Sequence, residues 1–191
     1  MPFTKTHIAD LQVFDPKVWR DDRGYFYESY NKKTFQEAGI PTEFVQDNQA
    51  LSTFGVLRGL HYQLEPYAQA KLVRVTQGEV LDVAVDIREG SPTYGEWYSI
   101  RLSAENKKQL FVPRGFAHGY VVLSDTAIFA YKCDNFYSKE HDAGILFNDP
   151  NLNVDWEIDI DKAILSQKDT LQPKFGTHKK FFTASKVLTK N

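Results

Sequence analysis

Residues 71–87, KLVRVTQGEVLDVAVDI, restrict the possible folds of this chain more than any other segment. Gly78 separates two runs rich in apolar and β-branched residues, and in the second run such residues alternate with Asp82, Ala84 and Asp86. A period of two is typical of a β-strand, and a glycine after a polar residue is typical of a tight turn. The segment is therefore predicted to form a β-hairpin with one face in water.

Short runs of the same kind recur along the chain, separated by turn-prone groups such as EGSPTYG and SAEN. Further strands are predicted at 25–30, 43–52, 97–103, 109–112, 118–123 and 127–133. Helix is scarce: residues 31–39 predict a short helix with Asn31 as N-cap and Gly39 just past its end, and residues 159–169 predict another. Many short strands with tight turns predict an all-β fold, a jelly-roll barrel with a few short peripheral helices.

The composition predicts one domain over residues 1–191 and limits its partners. Hydrophobic residues make up 42% of the 191-residue chain, which is enough to fill a core. The 23 basic and 25 acidic side chains give a formal charge of −2, so no overall field favours nucleic acid or an anionic membrane. Any anion-binding site must therefore be local.

The sequence also leads us to expect a cytoplasmic location. Cys133 is the single cysteine, which excludes an internal disulfide and a cysteine-rich zinc site and fits a reducing compartment. The first residues, MPFTKTHIADLQVF, have no long apolar stretch behind a basic start. No later run approaches the roughly 20 apolar residues that a membrane span needs.

Two segments, GVLRGLHYQ at 55–63 and PRGFAHGY at 113–120, each place one histidine among glycine, arginine and tyrosine residues. His61, close to Arg58, is a candidate base beside a fixed positive charge; the alternative is a half-buried strand histidine. His118 lies in a PxGxxH pattern that supplies one ligand in metal-binding cupin barrels. Because the first segment reads HYQ where such barrels usually have HxH, no metal site is predicted. His118 is then left to donate to a phosphate or sugar oxygen, or to fix its own turn.

Four further side chains could complete a proton-moving site. Lys71 opens an apolar strand and could stabilise an anion, or could be an exposed edge-strand lysine. Tyr131 and Tyr137 could serve as an acid or a stacking surface, or could pack in the core or at the rim. Asp169 could hold a histidine in one tautomer, or merely end a helix. Spacing in the sequence leaves these alternatives open.

In seven segments the sequence resembles the dTDP-4-dehydrorhamnose 3,5-epimerases, a family of cofactor-free cupin enzymes of deoxysugar biosynthesis. The segments follow one another in the family's order and cover nearly the whole chain. They are RDDRGYFYESY at 20–30, FVQDNQALSTFGVLRGLHYQ at 44–63, KLVRVTQGEVLDVAVDIR at 71–88, VPRGFAHGYVVLS at 112–124, YKCDNFY at 131–137, NDP at 148–150 and LSQKD at 165–169. This resemblance implies a cupin-like form of the jelly roll.

The resemblance implies that the chain epimerises C3 and C5 of dTDP-4-dehydro-6-deoxy-D-glucose through enolates and yields dTDP-4-dehydro-L-rhamnose. It implies that His61 is the base, held by Asp169, and that Lys71 lies by the C4 oxygen. Tyr131 would be the opposing acid, and Tyr137 would stack on thymine. No metal or other cofactor is expected, because the substrate's own ketone already acidifies the adjacent C–H bonds.

The same resemblance implies a set of substrate-binding residues. They are Arg23, Phe26, Glu28, Gln46, Asp47, Asn48, Arg58, His118, Tyr137, Asp142 and Lys168. The segment with the first three reaches a partner subunit's site in the family, so a homodimer is expected. In SKEHDAG the chain departs from the family, which usually has a glutamate there, and Asp142 is expected to take its place.

Three alternative functions remain open at the level of sequence. A monofunctional 3- or 5-epimerase would act on a related 4-keto sugar nucleotide and exchange one carbon-bound hydrogen only. A metal-dependent cupin oxygenase would need bound metal for turnover. A non-catalytic nucleotide-sugar binding module would bind its ligand without solvent exchange, although His61, Lys71 and Tyr131 are more than binding alone requires.

Overall fold

The computed structural model describes residues 2–180 and the backbone of residues 182–183. Its strands in chain order are β1 (Phe3–Lys5), β2 (Gln12–Phe14), β3 (Trp19–Asp21), β4 (Gly24–Phe26), β5 (Gln46–Thr53), β6 (Leu57–Gln63), β7 (Lys71–Gln77), β8 (Glu79–Asp86), β9 (Arg88–Glu89), β10 (Trp97–Ser103), β11 (Gln109–Val112), β12 (Phe116–Val122), β13 (Thr126–Cys133), β14 (Asp142–Gly144) and β15 (Phe182–Thr183). The α-helices are α1 (Lys32–Glu37) and α2 (Gln167–Thr170), and single turns of 3₁₀-helix lie at Lys139–His141 and Ile160–Lys162.

Two antiparallel sheets pack face to face. The six-stranded sheet has the order β1-β2-β11-β7-β13-β5, and the five-stranded sheet has the order β10-β8-β12-β6-β14. Apolar side chains of both sheets fill the space between them, among them Val73 and Val75 of β7 and Val80 and Ala84 of β8. Within the described residues no strand pairing joins the two sheets, so the jelly roll is open at its edges. The predicted all-β jelly roll with short peripheral helices is confirmed.

The segment 71–87 differs from its prediction in two ways. Its two strands do not pair as a hairpin, because β7 lies in the six-stranded sheet and β8 in the five-stranded sheet. Gly78, with φ of +74°, makes the corner between them, and a Cβ there would lie 2.1 Å from the carbonyl oxygen of Thr126. The predicted wet face is also wrong: Asp82 and Asp86 are fully buried, because this face of β8 looks into the space between the sheets.

The two predicted helices had different outcomes. The first is confirmed as α1: the Asn31 side chain caps it by accepting from the backbone N–H of Lys33, and Gly39 follows its end with φ of +81°. The second prediction, 159–169, is wrong as one helix. The backbone of Ile164 pairs instead with Gly55 and Leu57 at the start of β6, which divides the segment into a 3₁₀ turn and the short α2.

Most strand boundaries follow the predictions closely. Strands β10 and β11 have the predicted bounds, and β5, β12 and β13 differ from theirs by a few residues. The predicted strand 25–30 ends at Phe26, because the chain turns there towards the N-cap of α1. None of the helices in the described part of the chain is both long and apolar enough to span a membrane.

Candidate active site

A pocket opens between the two sheets, and each sheet supplies one of its walls. The five-stranded sheet contributes Arg58, His61, His118 and Tyr120, and the six-stranded sheet contributes Ala50, Lys71, Phe129 and Tyr131. The two predicted histidines, the lysine and the first tyrosine therefore converge in one place. Both walls of the pocket therefore present polar side chains to a molecule bound between them.

A bulge between β6 and β12 turns Arg58 and His61 to the same side. His61 lies opposite His118 and Arg58 lies opposite Tyr120, so two steps along β12 correspond to three along β6. In a regular strand, residues three apart point to opposite faces. The extra residue of the bulge therefore allows Arg58 and His61 to line the same pocket.

Glycines allow the close strand approach at this bulge. A Cβ on Gly59 would lie 2.6 Å from the Cα of Gly119, and a Cβ on Gly119 would lie 2.8 Å from the carbonyl oxygen of Arg58. Both glycines are therefore required by backbone packing, and they hold the two pocket residues of β6 in place.

His61 forms a short hydrogen bond with a buried carboxylate. Its Nε2 lies 2.5 Å from Oδ1 of Asp169, which α2 carries, and the Ser166 hydroxyl donates to Oδ2 of the same carboxylate over 2.7 Å. Burial alone would raise the pKa of Asp169, but the hydrogen bonds from His61 and Ser166 outweigh it and lower the pKa. Asp169 is thus held as a carboxylate that can stabilise positive charge on the imidazole.

His118 is also paired with a carboxylate, but in the sheet interior. Its Nε2 lies 2.9 Å from Oδ2 and 3.0 Å from Oδ1 of Asp82 on the neighbouring strand β8. Both side chains are almost entirely buried. The Asp82 pairing orients His118 at the pocket wall, so the turn-fixing alternative does not hold.

Lys71 and Tyr131 share the opposite wall. Strand β7 lies between β11 and β13, so Lys71 is not an edge-strand residue, and its ammonium lies 5.9 Å from the centre of the Tyr131 ring. Burial lowers the pKa of Lys71, while the negative charges of Asp82 and Asp142 oppose that shift. Burial raises the pKa of Tyr131 to about 12, which keeps its hydroxyl protonated at neutral pH.

A polar cluster brings together three more of the expected residues. Asp142, at the start of β14, accepts a hydrogen bond from the Tyr137 hydroxyl over 3.1 Å and forms an ion pair with Lys168. The Tyr137 ring is more than half exposed. The cluster's two charges act on Lys71 in opposite directions, since Asp142 raises its pKa and Lys168 lowers it.

Comparison with known proteins decides the family. A sequence model of the dTDP-4-dehydrorhamnose 3,5-epimerase family matches residues 5–177. The chain belongs to this family. A curated dTDP-4-dehydrorhamnose 3,5-epimerase from Shigella flexneri is 58% identical over 176 residues, covering 92% of this chain and 96% of that protein.

Solved structures of epimerases of this family have the same fold. The enzyme from Elizabethkingia anophelis NUHP1 superposes with a TM-score of 0.88 at 55% identity, over 91% of this chain and 96% of that one. The dTDP-6-deoxy-D-glucose-3,5-epimerase from Legionella pneumophila Philadelphia 1, solved in complex with dTDP-4-keto-L-rhamnose, has a TM-score of 0.88 at 48% identity, over 92% of this chain and 93% of that one.

Besides Asp169 and the cluster of Tyr137, Asp142 and Lys168, six more residues expected from the family's pattern lie outside the lining of this pocket. Arg23 and Phe26 lie on the exposed β3–β4 hairpin, and Glu28 accepts a hydrogen bond from Asn31. The other three lie on β5, where Gln46 donates to Asn48, Asn48 contacts the sulfur of Cys133, and Asp47 pairs with Lys132 on the other face.

Sequence reasoning missed three polar residues that line or support this pocket. Asp82 was assigned to a solvent face, although its alternation with apolar residues suits a strand facing a polar interior equally well. Tyr120 ends the quoted PRGFAHGY segment, and its ring stacks on Phe129 with centroids 4.0 Å apart. Ser52, a hydrogen-bond partner of Arg58, had no signal in the sequence.

No three histidine, cysteine, aspartate or glutamate side chains cluster as metal ligands in the part of the chain that the structure describes. Within the pocket each histidine is instead bonded to one carboxylate.

Proposed function

We propose that this chain converts dTDP-4-dehydro-6-deoxy-D-glucose to dTDP-4-dehydro-L-rhamnose, with His61 as the base and Tyr131 as the acid. One observation carries the assignment: His61, which is paired with Asp169, and Tyr131 line opposite walls of one pocket. Inversion at carbon requires a proton to leave one face and another to arrive on the other. The Shigella and Legionella relatives support the substrate by their names.

In the first step His61 takes the proton from a carbon next to the C4 ketone. Its Nε2 is engaged by Asp169, which leaves Nδ1 to accept the proton. The C–H bonding pair forms a C=C bond to C4, the π pair of the ketone moves onto the C4 oxygen to give the enolate, and the buried carboxylate stabilises the new imidazolium. General-base help of this kind contributes about 10²–10⁴ in rate.

Lys71 stabilises the negative charge that develops on the C4 oxygen. Its ammonium is a point charge in a partly dehydrated pocket, where an oxyanion is stabilised more strongly than in water. The ketone itself supplies the electron sink, so the step requires neither a metal nor a redox cofactor.

Tyr131 then protonates the carbon from the opposite face and becomes a phenolate, which solvent reprotonates. Its pKa of about 12 means that the hydroxyl still carries its proton when the enolate forms. His61 releases its proton to solvent, and the same exchange at the second carbon completes the 3,5-epimerisation.

Arg58, His118 and the Tyr137 cluster are proposed to bind the nucleotide diphosphate and the sugar. A guanidinium and an imidazole on the pocket wall suit phosphate and sugar oxygens, and an exposed tyrosine ring suits stacking on thymine. The other residues proposed to contact the substrate are Asp142 and Lys168 of this cluster and Gln46, Asp47 and Asn48 of β5.

We also propose a homodimer in which Arg23, Phe26 and Glu28 complete the partner's site. The β3–β4 hairpin pairs with no other strand in the described residues and exposes Trp19 and Phe26. The test mixes two weakly active variants, His61→Asn and Arg23→Ala, after separate purification. Recovered activity on mixing supports a shared site, and activity that stays at the average of the two excludes it.

The decisive experiment incubates the enzyme with the 4-keto sugar nucleotide in deuterated water. Deuterium at both C3 and C5, located by NMR, is the expected result. Label at one carbon only would show a monofunctional epimerase, and nucleotide binding without any label would show a binding module.

A further inference from the structure

Arg58 is a pocket cation without a carboxylate partner among the described residues. It lines the pocket beside His61 and His118, and it retains considerable exposure to solvent. Its guanidinium is therefore available to an anionic ligand. A long side chain in this situation needs a support if it is to meet that ligand in one orientation.

Ser52 provides such a support from the other sheet. Its Oγ accepts hydrogen bonds from Nε of Arg58 over 3.3 Å and from Nη2 over 3.2 Å. Ser52 lies on β5 in the six-stranded sheet and is buried, whereas Arg58 lies on β6 in the five-stranded sheet. The contact thus joins the two walls of the pocket.

The contact uses only one edge of the guanidinium. Nη1 has no hydrogen-bond partner in the described part of the chain, so its two N–H groups are free to donate. Tyr120, opposite Arg58 on β12, contributes a packed ring, and its hydroxyl is buried near both Ser52 and Arg58. Burial raises the pKa of this hydroxyl and the two neighbours oppose that shift, although neither contact reaches hydrogen-bonding geometry. Among the described residues, Ser52 is therefore the side chain whose hydrogen bonds hold the plane of the guanidinium.

We propose that Ser52 is a positioning residue that presets Arg58 for the diphosphate of the substrate. The inference rests on the proposed function, because Arg58 is the anion-binding residue there. Ser52 acts through Arg58 and not on the reacting carbons, so its loss should weaken nucleotide binding while the chemical steps continue.

The test compares Ser52→Val with Ser52→Thr, which differ by a methyl group in place of a hydroxyl. Calorimetry with dTDP gives the affinity, and deuterium exchange gives kcat and KM. For Ser52→Val we expect dTDP affinity to fall and KM to rise by about tenfold, with kcat within about twofold of wild type. Ser52→Thr should restore both to within about threefold, and Thr53→Val, on the exposed face of β5, should change neither.

A second arm places Ser52→Ala in an Arg58→Ala background. If Ser52 acts through Arg58, the serine change should have no further effect on dTDP affinity there. An undiminished loss in that background, a fall in kcat at constant KM, or unchanged dTDP affinity in a folded Ser52→Val protein would overturn the proposal. Absence of exchange in the wild type would overturn the proposed function instead, and the dTDP arm would still test Ser52.

Discussion

Two histidine–carboxylate pairs lie side by side in the pocket and differ in where their carboxylates come from. His61 and His118 are direct neighbours across β6 and β12. The His61 side chain is 28% exposed, and its partner Asp169 comes from α2, outside both sheets. The His118 side chain is only 7% exposed, and its partner Asp82 is fully buried on the adjacent strand.

The difference shows how similar pairs can serve different purposes. A base must accept a proton from a ligand and return it to solvent, which the partly exposed His61 can do. His118 and Asp82 are held by neighbouring strands of one sheet, so their geometry is as rigid as the sheet itself. We infer that the first pair moves protons and the second pair shapes and orients the wall.

The largest expected effect is a difference between the two histidine variants in the rate of solvent exchange. His61→Asn should lower the rate of deuterium incorporation by about 1,000-fold or more, because no other described group replaces the base, while dTDP affinity stays within about threefold. His118→Asn should weaken dTDP binding more than it slows exchange at saturating substrate. NMR exchange rates and calorimetry measure both, and equal loss of exchange in the two variants would break the distinction.

Replacing the two carboxylates should also have different effects: loss of Asp169 should mainly lower activity, and loss of Asp82 should mainly lower stability. Asp169→Asn should lower kcat by about 100-fold, because the imidazolium loses its counter-ion. Asp82→Asn should lower the free energy of unfolding by about 3 kcal/mol, since breaking a buried pair leaves polar groups without compensation. Urea unfolding and exchange kinetics on both variants decide this, and an Asp82→Asn protein of normal stability without exchange activity would contradict it.

The smallest effect concerns the pH dependence of stability. The pKa of Asp169 is lower in the folded chain than the roughly 3.9 of an unfolded aspartate, so its contribution to stability is present above that pH and is lost as the pH falls through the folded value. The stability difference between wild type and Asp169→Asn should therefore shrink in acid. Unfolding curves measured from pH 6 down to pH 3 provide the check, and a difference that grows in acid would be the opposite sign.

The strand pattern could be predicted because it depends on local chemistry. The bounds of β10 and β11 and the Asn31 cap of α1 follow from neighbouring residues alone. The corner at Gly78 could not be told from a hairpin, because the same glycine serves both and only the partners of β7 and β8 distinguish them. Likewise, the sequence predicts that Asp82 faces solvent, whereas in the structure the second sheet covers it.

The candidate site likewise combines features that the sequence determines with features that depend on the tertiary structure. The sequence by itself determined which residue types are present, their order in the family's segments, and the choice of His61, Lys71, Tyr131 and Asp169 by resemblance. Only the tertiary structure decided that Asp82 pairs with His118, that the bulge brings Arg58 to the side of His61, and that Ser52 supports Arg58 from the other sheet. The reason is physical: periodicity records the alternation of one strand, whereas a pocket between two sheets depends on register and on long-range contacts that no single segment contains.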